Sequence, residues 1–169
     1  TSGLADFFGD GERGDGGVLP FIAQMQADPD RLWDPLDIVT WTKGNLHAHF
    51  QPGGGWHYSD TGMLLAGLII EQVTNKALHD FIRERFFAPL SMAHTYMLFR
   101  EPARPSIDGR GVSRAYAGDV VYGQTRSVTA DWACGGLVST AADLTRFLRA
   151  FVEDRIFRTQ TKKKQMLSW

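Results

Sequence analysis

The chain has 169 residues, 18 of them Lys or Arg and 19 Asp or Glu, so its net charge is -1 with the histidines neutral. That length suits one domain burying roughly two-thirds of its unfolded surface, and the near-zero charge gives no electrostatic footprint for a nucleic-acid partner or an anionic membrane surface. The longest apolar run, around residues 63–70, falls short of the ~20 residues of a transmembrane helix, and a single cysteine, Cys134, excludes an internal disulfide and a Cys-rich zinc site.

The chain opens Thr1-Ser2-Gly3-Leu4 with no initiator Met, basic leader or apolar leader. Any signal peptide is therefore expected to lie outside it, with an extracytoplasmic location if the parent carries one and a cytoplasmic location otherwise. The front reads as cut. So does the back, where Lys162, Lys163 and Lys164 are expected on a solvated helix face ahead of an apolar tip. Residues 1–17 are rich in glycine and carry Asp6, Asp10, Glu12 and Asp15, a composition that reads as a solvated loop. Their Asp and Gly density does not match the spacing of a calcium-binding EF-hand loop.

Helical spacing over residues 18–27 stops at Asp28-Pro29-Asp30. Asp34-Pro35-Leu36-Asp37 then combines an N-cap, a proline at the first helical position and an acid three residues after the cap, which predicts a helix over 35–43 with Leu36, Val39 and Ile38 inward. Residues 44–55 form a loop containing an H-x-H pair, His47 and His49. With no carboxylate or cysteine at ligand spacing nearby, these read as loop histidines and no metal site is expected.

The segment Tyr58-Ser59-Asp60-Thr61-Gly62 leads into the most apolar helix of the chain, running to about Asn75. Ser59 or Asp60 can cap its free N–H groups. Leu65, Ala66, Ile69, Ile70 and Val73 mark one helical face, widened by Met63, Leu64 and Leu68, so a core helix is expected. A second helix over 77–88 is stopped by Pro89. Residues 90–98 form a short apolar connection, and residues 99–118 an irregular stretch whose Gly111-Val112-Ser113-Arg114-Ala115 lacks the final glycine of a nucleophile elbow. Residues 119–128 read as extended. Thr140 and Asp143 then form a capping box for a helix with Leu144, Phe147, Leu148 and Phe151 as its buried face, while Gly135-Gly136 permits close backbone approach or positive φ just upstream.

Three of these segments occur in an order that resembles the serine β-lactamase-like superfamily of class C β-lactamases, D-alanyl-D-alanine carboxypeptidases and related esterases. Thr1-Ser2-Gly3-Leu4 resembles the tail of its His-Thr-Ser-Gly-Leu segment. Pro52-Gly53 through Tyr58-Ser59-Asp60-Thr61-Gly62, continuing Leu64-Leu65-Ala66-Gly67, resembles its Tyr-x-Asn element and following helix. Gly135-Gly136-Leu137-Val138-Ser139-Thr140-Ala141-Ala142-Asp143-Leu144 resembles its Gly-Gly-Leu-x-Ser-Thr-x-x-Asp-Leu segment. The resemblance implies an α+β fold of the β-lactamase/transpeptidase type, an antiparallel sheet flanked by helices, with strands drawn mainly from the ends of a full-length chain. This chain is thus expected to be one mainly helical domain, residues 1–169, with short hairpin pieces near Leu98 and Val120.

The resemblance also implies acyl transfer by a serine in an S-x-x-K motif. Tyr58 matches the family tyrosine that transfers protons between nucleophile and leaving group, and nearby ammonium groups would favour its ionised form. Asp60 stands where asparagine is common, as the partner of a lysine; a carboxylate cannot donate to a substrate carbonyl, which fits an esterase- or peptidase-like relative better than a β-lactamase. No serine of the chain has a lysine three residues later, and no Lys-Thr-Gly or His-x-Gly element follows. The expectation is a fragment of a serine hydrolase acting on a β-lactam, a D-Ala-D-Ala peptide or a small ester, inactive alone, with no cofactor, and self-associating through surface that truncation exposes. The alternative is a non-catalytic helical module of the same fold that binds peptidoglycan-like ligands or another chain.

Overall fold

Aromatic side chains from separate segments meet at the centre of the molecule. The structure, a computed structural model, describes residues 2–105, 109, 111–117, 120–157 and 159–168. Phe21, fully buried on helix α1 (Pro20–Ala27), lies 4.9 Å from Phe7, 4.7 Å from Trp33 and 5.0 Å from Trp41 between ring centroids. Burying one such ring contributes about 1.5–3 kcal/mol. Phe7 belongs to the glycine-rich opening segment expected to be a solvated loop. That segment is irregular, but Ala5, Asp6 and Phe7 are buried within it.

Trp33 ties a distant segment to this centre. Its indole N–H donates to Ser127 Oγ at 3.0 Å, and its backbone N–H donates to Thr129 Oγ1 at 3.0 Å. Those hydroxyls belong to a 3-10 helix, Arg126–Asp131, whose first three residues fall in the stretch 119–128 expected to be extended; only strand β3 (Val120–Tyr122) has that conformation among the described residues of that stretch. Tertiary hydrogen bonds to a buried tryptophan outweigh local strand preference there.

Helix α2 (Pro35–Asn45) starts as its sequence predicts, with Asp34 accepting from the Leu36 N–H at 2.8 Å and Pro35 at the first position. Ile38 is fully buried, whereas Leu36 faces solvent. Helix α3 (Asp60–Thr74) is capped by Ser59 and ends on Asn75 in the left-handed conformation, φ 51°. Its buried stripe is Asp60, Thr61, Leu64 and Gly67. The expected stripe is rotated from this one: Ala66, Ile69 and Val73 are exposed. At the start of helix α4 (Leu78–Ile82) the Leu78 N–H donates to the Glu71 carboxylate of α3 at 2.7 Å, and the helix widens into a π-helical turn, Arg83–Phe87, before Pro89.

Strand β1 (Tyr96–Met97) lies at the expected place near Leu98 but is not part of a hairpin. It pairs antiparallel with β4 (Leu137–Val138), some 40 residues on. Strand β2 (Ala115–Ala117) pairs antiparallel with β3 as the expected hairpin near Val120. Residues 106–108, 110, 118 and 119 of the expected irregular and extended stretches lie outside the described residues. Helix α5 (Trp132–Gly135) joins the 3-10 helix to β4.

Helix α6 (Ala141–Val152) carries half of the predicted capping box. Thr140 Oγ1 accepts from the Asp143 N–H at 3.1 Å, while the fully buried Asp143 carboxylate accepts from the His94 N–H and Thr95 Oγ1, each at 2.9 Å, and from Arg146 at 2.6 Å. Asp143 thus joins α6 to the chain entering β1. The predicted buried face is half realised, since Phe147 and Phe151 are half-buried and Leu144 and Leu148 are exposed. The lysines 162–164 lie on helix α7 (Gln160–Leu167), which has no buried residue. Among the described residues no helix is long and apolar enough to cross a membrane.

The contact between α3 and α5 depends on a missing side chain. A Cβ at Gly67 would sit 2.7 Å from the Trp132 ring and 2.9 Å from Ala133 Cβ, whereas one at Gly62, in the first turn of the same helix, would meet nothing within 4 Å. Alanine at either place favours the helix by up to about 1 kcal/mol, but overpacking costs about 1–3 kcal/mol. Gly62→Ala is expected to raise the midpoint of thermal unfolding and Gly67→Ala to lower it, measured by circular dichroism; equal effects would show that the close approach is not made.

Candidate active site

The first turn of α3 is bound to the opening segment by three hydrogen bonds spanning 54 residues of sequence. Ser59 Oγ donates to the Ala5 carbonyl at 3.0 Å, the Asp60 N–H donates to Asp6 Oδ1 at 3.2 Å, and the Phe7 N–H donates to Thr61 Oγ1 at 3.3 Å. Ser59 Oγ also accepts from the Gly62 N–H at 3.3 Å, so its hydroxyl is spent on structure. It is a cap and a strap.

Tyr58 and Asp60, the two residues singled out from the sequence, come together. The Tyr58 hydroxyl donates to Asp60 Oδ1 at 2.7 Å. The phenol is 56 % exposed while Asp60 is buried beneath it. They border a cleft of about 410 Å³ that Phe8, Ile22, Asp131, Cys134 and Gly135 also line. The hydrogen bond to Asp60, partial burial and the charge of Asp60 push the tyrosine pKa up to about 12. With the groups present in this chain, Tyr58 is therefore a neutral proton donor at neutral pH, whereas the resemblance implied a phenol ionised by neighbouring ammonium groups.

Cys134 comes from the other wall, and sequence reasoning gave it no role at the site. Its thiol donates to the Asp60 carbonyl at 3.2 Å. Burial first, then the charges of Asp60, Asp131 and Asp6, push its pKa well above the usual thiol range. A thiol held protonated is a poor nucleophile. Asp6 is raised as well, by burial and by the charges of Asp60 and Asp10, against the pull of the Phe8 and Asp60 N–H groups. The short turn that carries Cys134 and Gly135 begins at Trp132, held at φ 25°, and closes at Gly136, where a Cβ would stand 3.0 Å from the Trp132 carbonyl. Of the two possibilities open for Gly135-Gly136, close approach is the one realised, at Gly136.

A second cluster lies beside the first. Asp10 Oδ2 sits 2.7 Å from His49 Nε2 and 3.0 Å from His57 Nε2. The sequence pairing of His47 with His49 is not the one that forms, and the carboxylate judged missing arrives from 39 residues upstream. No local pattern could reveal that, because the three residues share no element. Burial would raise the Asp10 carboxyl, but hydrogen bonds from His49, the Asp6 N–H and His57 hold it below the ordinary carboxylate value.

The fold is shared with solved structures. The solved D-amino acid amidase of Ochrobactrum anthropi SV3 is 30% identical, with a TM-score of 0.71, over 96% of this chain and 43% of its own. A D-stereospecific amidohydrolase of Streptomyces sp. superposes with a TM-score of 0.78 over 99% of this chain and 48% of its own; at 24% identity it shows the fold. Penicillin-binding protein 4* of Bacillus subtilis is 36% identical over 109 residues, 64% of this chain and 22% of its own length. The chain thus spans about a fifth of that relative and less than half of the two solved ones. The family model described as Beta-lactamase matches residues 1–169, and the chain belongs to that family.

Proposed function

We propose that this chain supplies the tyrosine half of a serine hydrolase active site that works through an acyl-enzyme. The observation that carries the reading is the Tyr58 hydroxyl bonded to Asp60 at 2.7 Å on the wall of an open cleft, at the first turn of a family helix. In this reading a serine Oγ attacks the substrate acyl carbon, and Tyr58 passes a proton to the departing amine or alcohol. Asp60 orients the phenol and pairs with the lysine of the S-x-x-K motif. That ammonium offsets the acidic surroundings of Tyr58 and brings its pKa down toward the range where it can both take and give a proton. Substrates are β-lactams, D-amino-acid amides or peptides, or small esters. The relatives include a D-aminopeptidase of Brucella anthropi and a lovastatin esterase of Penicillium rubens, and a carboxylate at position 60 suits such substrates better than β-lactams.

Because no serine here precedes a lysine at the right spacing, the chain by itself is not expected to be acylated by this route. Incubation of the 169-residue chain with a labelled β-lactam or fluorophosphonate should leave its mass unchanged, while a protein joining it to an S-x-x-K-bearing segment should gain one acyl group from the β-lactam or one phosphonyl group, with loss of fluoride, from the fluorophosphonate. In the joined protein Tyr58→Phe is expected to slow acylation by about 10²–10⁴-fold. Labelling of the chain alone, or acylation untouched by Tyr58→Phe, contradicts the reading.

We also propose that the chain self-associates. Leu144, Leu148 and Val152 are 52 %, 62 % and 72 % exposed at successive i, i+4 positions of α6, and this apolar stripe favours contact with a second apolar surface. Sedimentation should show dimers or larger species that dissociate on dilution and are lost in Leu148→Glu. A monomer at high concentration contradicts this.

A further inference from the structure

Two imidazoles and one carboxylate converge on a point at the surface beside the cleft. Asp10 Oδ2, His49 Nε2 and His57 Nε2 all lie within 4.8 Å of one another. The histidine rings stack with centroids 3.7 Å apart and a 35° tilt, each presenting Nε2 to the same oxygen. Three loops with independent anchors bring them there. The His49 backbone N–H donates to the Gly3 carbonyl at 2.8 Å, and Gly3, at φ 76°, leaves no room for a side chain because its Cβ would fall 2.0 Å from the Phe50 carbonyl oxygen. The Asp10 N–H donates to the Asp6 carbonyl at 2.9 Å, and the Asp6 N–H in turn holds Asp10 Oδ2 at 2.7 Å. His57 is the residue before Tyr58.

Hydrogen bonding alone uses these groups poorly. As hydrogen-bond donors, both Nε2 atoms and the Asp6 N–H would crowd a single carboxylate oxygen, Asp10 Oδ2, which has two lone pairs. A divalent cation resolves the arrangement, because two neutral imidazole nitrogens and one carboxylate are the donors that zinc accepts. We propose that Asp10, His49 and His57 form a binding site for a divalent transition-metal ion, zinc by the chemistry of its donors. Ligand atoms around tetrahedral zinc stand about 3.3 Å apart, so the two contacts to Asp10, at 2.7 and 3.0 Å, need to open by about 0.3–0.6 Å. The side chains are 19 %, 39 % and 28 % exposed for Asp10, His49 and His57. That leaves a path for entry and an open side for water as a fourth ligand. The Asp6 N–H orients the carboxylate, as second partners of metal ligands do. A metal here fastens His57, and with it the backbone that presents Tyr58.

The test is zinc binding to the 169-residue chain without an affinity tag, by isothermal titration calorimetry and by metal analysis after dialysis. The expected result is one zinc per chain, a higher unfolding midpoint with zinc, and visible absorption from a low-coordinate site when cobalt(II) replaces it. Exposed His49→Ala, and Asp10→Asn, which keeps the shape of the side chain, should each weaken zinc at least about 100-fold, with circular dichroism showing an unchanged fold. His47→Ala should bind as the parent does. No retained zinc and no cobalt spectrum in the parent chain would overturn the proposal, and so would binding that survives His49→Ala and Asp10→Asn or is lost in His47→Ala.

Discussion

The structure depends on the strap between residues 5–7 and the first turn of α3. Three hydrogen bonds, from Ser59, Asp60 and Phe7, join segments 54 residues apart and seat the helix start on the buried opening segment. Each contributes about 0.5–1.5 kcal/mol, which together is a sizeable share of the 5–15 kcal/mol that separates typical folded and unfolded states. The strap also sets chemistry. It fixes the Asp60 backbone under Tyr58, and it carries the Phe7 ring into the aromatic centre where α1, α2 and Trp33 meet.

The same strap concentrates negative charge. Asp6 meets Asp60 at the first turn of α3, and Asp131 lines the same cleft as Asp60. The hydrogen bond to Asp60 is the main hold on the Tyr58 proton and burial the main hold on the Cys134 proton, with the charges of Asp60 and Asp6 adding to both. In the proposed site a lysine ammonium beside Asp60 would offset this charge and let Tyr58 cycle its proton, whereas with the groups of this chain the tyrosine is only a donor.

Sequence alone revealed the parts of the fold that local chemistry controls. Asp34-Pro35, Ser59 and Thr140 each cap a helix where expected, and Asn75 and Pro89 end helices where expected, because caps and stops act within one turn of the backbone. It misjudged part of the buried face of α2, α3 and α6. On α3 the inward positions include Asp60, Thr61 and Gly67, polar or small residues chosen for hydrogen bonds to the strap and for the close approach of Trp132, while apolar Ile69 and Val73 face out. On α6 the buried anchor is the charged Asp143, satisfied by donors from the chain entering β1. Hydrophobic periodicity cannot register polar groups that are buried because they are paired. Tyr58 and Asp60 were legible because they lie two residues apart within a recognisable motif. Asp6, Cys134 and the Asp10, His49 and His57 cluster were not, since only the folded chain brings them together.

The central claim is that Asp60 controls the proton on Tyr58, and the most direct measurement is a pH titration of the tyrosine rings followed by NMR with carbon-13 tyrosine labelling. The phenol of Tyr58 should ionise near pH 12 in the parent chain, and in Asp60→Asn it should fall toward the ordinary tyrosine value near 10. A Tyr58 that titrates near 10 in both proteins would contradict the pairing on which the proposed chemistry stands.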